Sequence, residues 1–92
     1  IIRYGGEEFL VLLNEVQLRT AETICHQIQE MLRKLAIPHS ASKTSEYVTL
    51  SMGLCYQTLP KIASLEQMIK YADECLYQSK KAGRNYITTK VL

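Results

Sequence analysis

Residues 1–4 and 9–13 are apolar or aromatic apart from Arg3, and Gly5-Gly6-Glu7-Glu8 lies between the two runs. Two extended arms around a glycine turn predict a β-hairpin with the acidic pair at or just past its tip. The second arm is continuously apolar, the pattern of a strand covered on both faces. Residues 14–19 form a connection. Over 20–35 the period becomes helical. Ala21, Ile24, Cys25, Ile28, Met31, Leu32 and Leu35 share one face, and Glu22, Gln29, Glu30, Arg33 and Lys34 fall mainly on the other. Pro38 and the polar run 39–46 break that pattern. Residues 47–56 then alternate: Val48, Leu50, Met52, Leu54 and Tyr56 point one way, and Thr49, Ser51, Gly53 and Cys55 the other. A glycine in mid-strand implies close approach by a neighbouring element.

Pro60 closes the next connection, and Ser64 with Gln67 forms a capping box that starts a second helix. Its buried face is Leu65, Met68, Ile69, Ala72, Cys75 and Leu76. Lys80 and Lys81 fall in its last turn, where cations complement the helix dipole, and Gly83 suits the position just past its end. A short strand over 86–89 closes the chain. The order strand, strand, helix, strand, helix, strand predicts an α+β fold, sandwich-like, with helices layered on a sheet.

Composition narrows the class. Of 92 residues, 47% are hydrophobic and 22% charged, the balance of a globular chain long enough for one small domain or part of a larger one. The formal net charge of +2 is spread over interspersed charges and gives no argument for a nucleic-acid groove or an anionic membrane, so neither is expected as a partner of this segment. No apolar run reaches membrane-spanning length. Cys25, Cys55 and Cys75 are odd in number and widely spaced, and neither His26 nor His39 stands at zinc-finger intervals from them. They are expected to be reduced, structural thiols, which suits the cytoplasm. Because Ile1 already lies inside a strand pattern, the chain is expected to be a piece of a larger domain.

The hairpin tip carries the candidate chemistry. Glycine backbone admits close approach, and its N–H groups can face a phosphate. Adjacent carboxylates are best placed in water or on a hard cation, and Mg²⁺ is commonly held by one or two carboxylates plus substrate phosphates. Turn chemistry leaves two readings open: half of a nucleotide–metal site, or an exposed turn whose glutamates are solvated.

The stretch Arg3-Tyr4-Gly5-Gly6-Glu7-Glu8-Phe9 resembles the signature of GGDEF-domain diguanylate cyclases in its GGEEF form. The resemblance continues through Val48-Thr49-Leu50-Ser51-Met52-Gly53 and Ala72-Asp73-Glu74-Cys75-Leu76-Tyr77 to Lys80-Lys81-Ala82-Gly83-Arg84-Asn85, so it covers essentially the whole chain. It implies a fold similar to the palm of nucleotide polymerases and cyclases. It also implies a reaction of bacterial second-messenger signalling, in which two GTP molecules condense into cyclic di-GMP with release of two pyrophosphates. Two domains must face each other as a homodimer, since each binds one GTP.

The resemblance assigns roles position by position. Glu7 matches a metal ligand that also helps deprotonate the 3′-hydroxyl, and Glu8 a carboxylate of the same Mg²⁺ (or Mn²⁺) and phosphate site. Gly5 and Gly6 match the turn that lies against the nucleotide, and Lys80 and Arg84 the pair that contacts terminal phosphates. Phe9 is expected to pack and fix the hairpin. The family's other metal-binding aspartate, its guanine-contacting Asn and Asp and its inhibitory Arg-x-x-Asp motif all precede the signature and have no match here. The chain is therefore expected to be the C-terminal part of a GGDEF domain, inactive alone, with exposed strand edges that favour a homo-oligomer. The competing readings are a degenerate domain that binds GTP or cyclic di-GMP as a regulatory module, and a dimerisation piece with no ligand.

Overall fold

The computed structural model of the chain describes residues 2–5, 8–13, 16–38, 49–58 and 63–92, with side chains from Glu8 onward. Gly6, Glu7, His39, Pro60, the polar run 39–46 and the first residues of the expected third strand lie outside the described residues. The elements are β1 (Ile2–Gly5), β2 (Glu8–Leu10), α1 (Leu18–Leu35), β3 (Met52–Tyr56), α2 (Leu65–Lys81) and β4 (Ile87–Val91). This is the α+β order expected of a partial GGDEF domain.

The first two strands pair antiparallel, Ile2 with Leu10, Arg3 with Phe9 and Gly5 with Glu8. The register shifts by one residue between Arg3 and Gly5, so β1 carries a bulge there. Gly5 and Glu8 therefore bracket the two-residue hairpin connection. The remaining strands pair parallel, from Met52 with Ile87 to Tyr56 with Val91. A parallel pair needs a long crossover, and α2 supplies it.

The second helix ends as its sequence dictates. Ser64 Oγ accepts from the Gln67 amide at 3.2 Å, and Gln67 Oε1 accepts from the Ser64 amide at 3.0 Å, closing the capping box. At the other end of α2 the Gly83 amide donates to the Lys80 carbonyl at 3.4 Å and the Arg84 amide to the Ser79 carbonyl at 3.1 Å. That is a Schellman motif with Gly83 just past the helix, at φ +121°. The first helix stops on Ala36, whose φ of +46° is left-handed and whose amide returns to Leu32 and Arg33.

Packing centres on β3 and α2. A Cβ at Gly53 would lie 2.1 Å from the Ala72 carbonyl oxygen and 2.4 Å from the Leu76 amide nitrogen. The strand lies directly against the helix backbone, the close approach that its mid-strand glycine implied. Ala63, Cys75 and Ser79 are buried beside this contact, and Ala21 is buried on α1. Ser79 has no exposed surface. Its hydroxyl donates to the Met52 carbonyl at 2.7 Å and lies 2.6 Å from Thr88 Oγ1, tying α2 to both strands. Gln57 holds the connection before α2, donating to the Ala63 carbonyl and accepting from its amide at 2.9 and 2.8 Å. The Tyr56 hydroxyl donates to Val16 at 3.0 Å, just ahead of α1, and the Lys90 ammonium sits 4.6 Å from the centre of the Tyr71 ring.

Several expectations fail locally. The second hairpin arm is a strand only over Glu8–Leu10, and Phe9 is 62% exposed, so it does not pack. Val11 and Leu12 are also exposed, because no described element lies over that arm. On α1, Ala21, Ile24, Cys25, Ile28 and Leu32 are covered to some degree, but Met31 and Leu35 are each 64% exposed. Leu65, in the first turn of α2, is also exposed. The third strand begins at Met52; just before it the Leu50 carbonyl accepts from Gln29 and the Ser51 hydroxyl from the Asn85 amide.

Gly53→Ala is expected to lower unfolding stability by about 2–3 kcal/mol or more, since the clashing atoms are helix backbone and cannot rotate away. Chemical denaturation monitored by circular dichroism measures it. All three cysteines are free. Burial pushes each thiol up, aided by Glu22 at Cys25 and by Cys75 at Cys55, and at Cys75 opposed by Lys90 and aided by Glu74. A raised thiol pKa favours the neutral form, so this stabilisation is present below the free-thiol value and fades as pH rises through the folded values. At pH 8 the folded chain should therefore react more slowly with an aromatic disulfide than a cysteine peptide does, and denaturant should remove the difference.

Candidate functional site

Two ends of the sequence meet at the hairpin. Glu8 begins β2, paired across to Gly5, and the bulge in β1 sets where the tip falls. Lys80 lies in the last turn of α2. Its ammonium donates to Glu8 Oε2 at 3.1 Å across 72 positions of chain. Both side chains are more than a third exposed, Lys80 at 36% and Glu8 at 39%. An ion pair so open to water contributes at most about 1 kcal/mol. It marks a shared location more than it holds the fold, and each group can turn to another partner at little cost.

The turn after α2 is the second part of the site. Gly83, Arg84 and Asn85 follow one another at φ +121°, +64° and +54°. Successive non-glycine residues in the left-handed region cost about 1 kcal/mol or more each, and such a turn persists only where its surroundings hold it. The helix end holds one side through the Schellman bonds. From the other side the Asn85 amide donates to Ser51 Oγ at 3.0 Å, and Gln29 Nε2 donates to the Asn85 and Leu50 carbonyls at 3.3 and 3.4 Å. Met52 then donates to the Tyr86 carbonyl at 2.9 Å and opens the β3–β4 ladder. Arg84 is exposed and projects from a backbone fixed on both flanks.

Of the residues singled out in the sequence, Gly5 and Glu8 stand at the base of the tip, with Lys80 in contact and Arg84 four residues beyond it. Gly6 and Glu7 lie outside the described residues. Among the described residues no three His, Cys, Asp or Glu side chains gather as a metal site. The donor chemistry nevertheless fits a hard cation: Glu8 offers half-exposed carboxylate oxygens whose partner is a displaceable ammonium. Gln29 and Ser51 were missed by sequence reasoning. Gln29 falls on the polar face of α1 and Ser51 on an alternating strand pattern, so neither carries a local sign of its role.

The structure thus sets a glycine hairpin bearing a carboxylate beside the end of the crossover helix, with its lysine in contact and an arginine in the turn beyond, on an α+β domain. A family model, "Diguanylate cyclase, GGDEF domain", matches residues 1–86. The chain belongs to the GGDEF family. It is 34% identical over 86 residues to diguanylate cyclase A of Treponema denticola, covering 94% of this chain and 22% of that protein. It is 33% identical over 91 residues to diguanylate cyclase DosC of Escherichia coli K12, covering 95% of this chain and 18% of that protein. The chain thus spans about a fifth of the length of these relatives. No solved structure matches it. Among the described residues no helix is long and apolar enough to cross a membrane.

Gly83→Ala is expected to cost about 1–3 kcal/mol, because φ of +121° is closed to a residue with a Cβ. An added Cβ would meet only Tyr86 Cε2, at an ordinary contact of 3.9 Å, so the cost is backbone strain and not collision, and a D-alanine placed there by chemical synthesis should restore stability. Thermal melts of the three forms compare them.

Proposed function

We propose that this chain is the C-terminal part of the catalytic domain of a diguanylate cyclase, which condenses two GTP molecules into cyclic di-GMP and releases two pyrophosphates. The observation that carries the reading is the Glu8–Lys80 contact, which brings the signature hairpin and the lysine of the late Lys-x-x-x-Arg pair to one place. The names of the relatives support the reaction class.

Glu7 and Glu8 are the residues that would hold a divalent cation, Mg²⁺ or Mn²⁺. That ion would neutralise phosphate charge and favour in-line displacement when bound. Gly5 and Gly6 let the nucleotide approach the hairpin backbone. Lys80 gives up Glu8 and takes a terminal phosphate as a point charge, and Arg84 offers its planar fork to phosphate oxygens. Glu7 accepts the proton of the attacking 3′-hydroxyl. Each domain presents one GTP, so two must face each other for the hydroxyl of one nucleotide to reach the α-phosphorus of the other. The exposed Phe9, Val11 and Leu12 support self-association of the isolated chain. Free thiols suit the cytoplasm, where GTP is available.

The full-length protein carrying this chain should form cyclic di-GMP from GTP and Mg²⁺. Glu7→Ala and Glu8→Ala should each reduce the rate by about 100-fold or more, the loss expected when several kcal/mol of charge stabilisation goes. Lys80→Ala should act mainly on KM. The 92-residue chain alone should form no product. Full-length protein that binds GTP without turnover would instead be the regulatory module.

A further inference from the structure

We infer that Gln29 and Ser51 are positioning residues for the phosphate-binding Arg84, an inference that rests on the role proposed for Arg84 above. The left-handed run Gly83-Arg84-Asn85 is held from the helix side by bonds to Ser79 and Lys80, which any helix ending on glycine can make. Those bonds fix where the turn begins and leave open where it goes. The direction is set from outside. Ser51 Oγ accepts from the Asn85 amide at 3.0 Å, and Gln29 Nε2 donates to the Asn85 carbonyl at 3.3 Å. Both backbone polar groups of the residue after Arg84 are thus held by side chains from two other segments.

Gln29 does more than satisfy one acceptor. The same amide nitrogen reaches the Leu50 carbonyl at 3.4 Å, next to Ser51. One side chain on α1 therefore spans the approach to β3 and the turn after α2, and sets the gap between them. The opposite strand contact, from Met52 to the Tyr86 carbonyl, closes the turn immediately afterwards. Arg84 itself touches neither Gln29 nor Ser51 through its side chain in any described bond. They act on it through the backbone.

Gln29→Glu keeps the shape and replaces a donor with a carboxylate facing two carbonyls. Ser51→Ala removes the acceptor, and Ser51→Thr retains it. In the full-length protein, Gln29→Glu and Ser51→Ala should each weaken GTP binding and raise KM about 5- to 10-fold with a smaller change in kcat, and Ser51→Thr should restore both. The decisive readout is the double mutant. Gln29→Glu combined with Arg84→Ala should bind GTP no more weakly than Arg84→Ala alone, because the amide acts only through the arginine. Additive losses, or loss of affinity in Ser51→Thr equal to that in Ser51→Ala, overturn the positioning role. Arg84→Ala with unchanged GTP affinity overturns the reading of Arg84 and the inference with it. Normal Arg84→Ala behaviour with unaffected Gln29→Glu and Ser51→Ala overturns the inference alone.

Discussion

The backbone of α2 lies on β3 at a distance that only glycine permits, and the site is placed by that contact. Gly53 sits beneath Ala72, Cys75 and Leu76, so helix and strand meet without a side chain between them. Seven residues after Ala72 along the helix, Ser79 repeats the fixation with a hydroxyl shared between the Met52 carbonyl and Thr88. Two points fix a rigid rod. Once both are made, Lys80 and the turn beyond it have no freedom of axial shift, and β4 must return parallel beside β3. The same rod then decides where a cation meets the Glu8 carboxylate.

The hairpin is attached quite differently. Its own ladder is short, Phe9, Val11 and Leu12 face water, and Glu8–Lys80 is a half-exposed pair of low intrinsic worth. A half fixed through α2, which carries Lys80 and Arg84, thus meets a lightly held strand that carries Glu8. On the proposed reading this division is useful. The phosphate-facing cations are preorganised by α2 and its cap, and the carboxylate arm can adjust to a cation without disturbing the core.

Much of the architecture was legible because local chemistry dictated it. The Ser64–Gln67 box, Gly83 past the end of α2 and Gly53 at a close approach each follow from one residue type meeting one backbone demand. The hairpin followed from its glycines. Burial was less legible, because a periodic pattern says which face is apolar and not how far a covering element extends. Met31 and Leu35 share the stripe of Ile24 and Ile28 and yet stand in water, and Phe9 pairs in β2 without a second layer over it. The site divides the same way. Glu8, Lys80 and Arg84 came from their resemblance to a signature. Gln29 and Ser51 came only from the fold, since nothing in an amphipathic helix marks which of its polar residues finds two backbone carbonyls 21 and 56 positions away.

On the proposed reading, the Glu8–Lys80 pair occupies the places that a metal-bound phosphate would take. A lone carboxylate beside another would repel its neighbour, and a lone ammonium aimed at a phosphate site would draw any anion. Paired, the two present no net charge. A cation bound to phosphates carries the same two signs in the same order, and can divide the pair by giving Glu8 the metal and Lys80 the phosphate. Neither group is then left unpaired, and since both are already more than a third exposed the exchange costs little. A cation alone would free Lys80 with no partner, and a phosphate alone would free Glu8. Binding the two together keeps both charges partnered, a preference of at most about 1 kcal/mol for so exposed a pair.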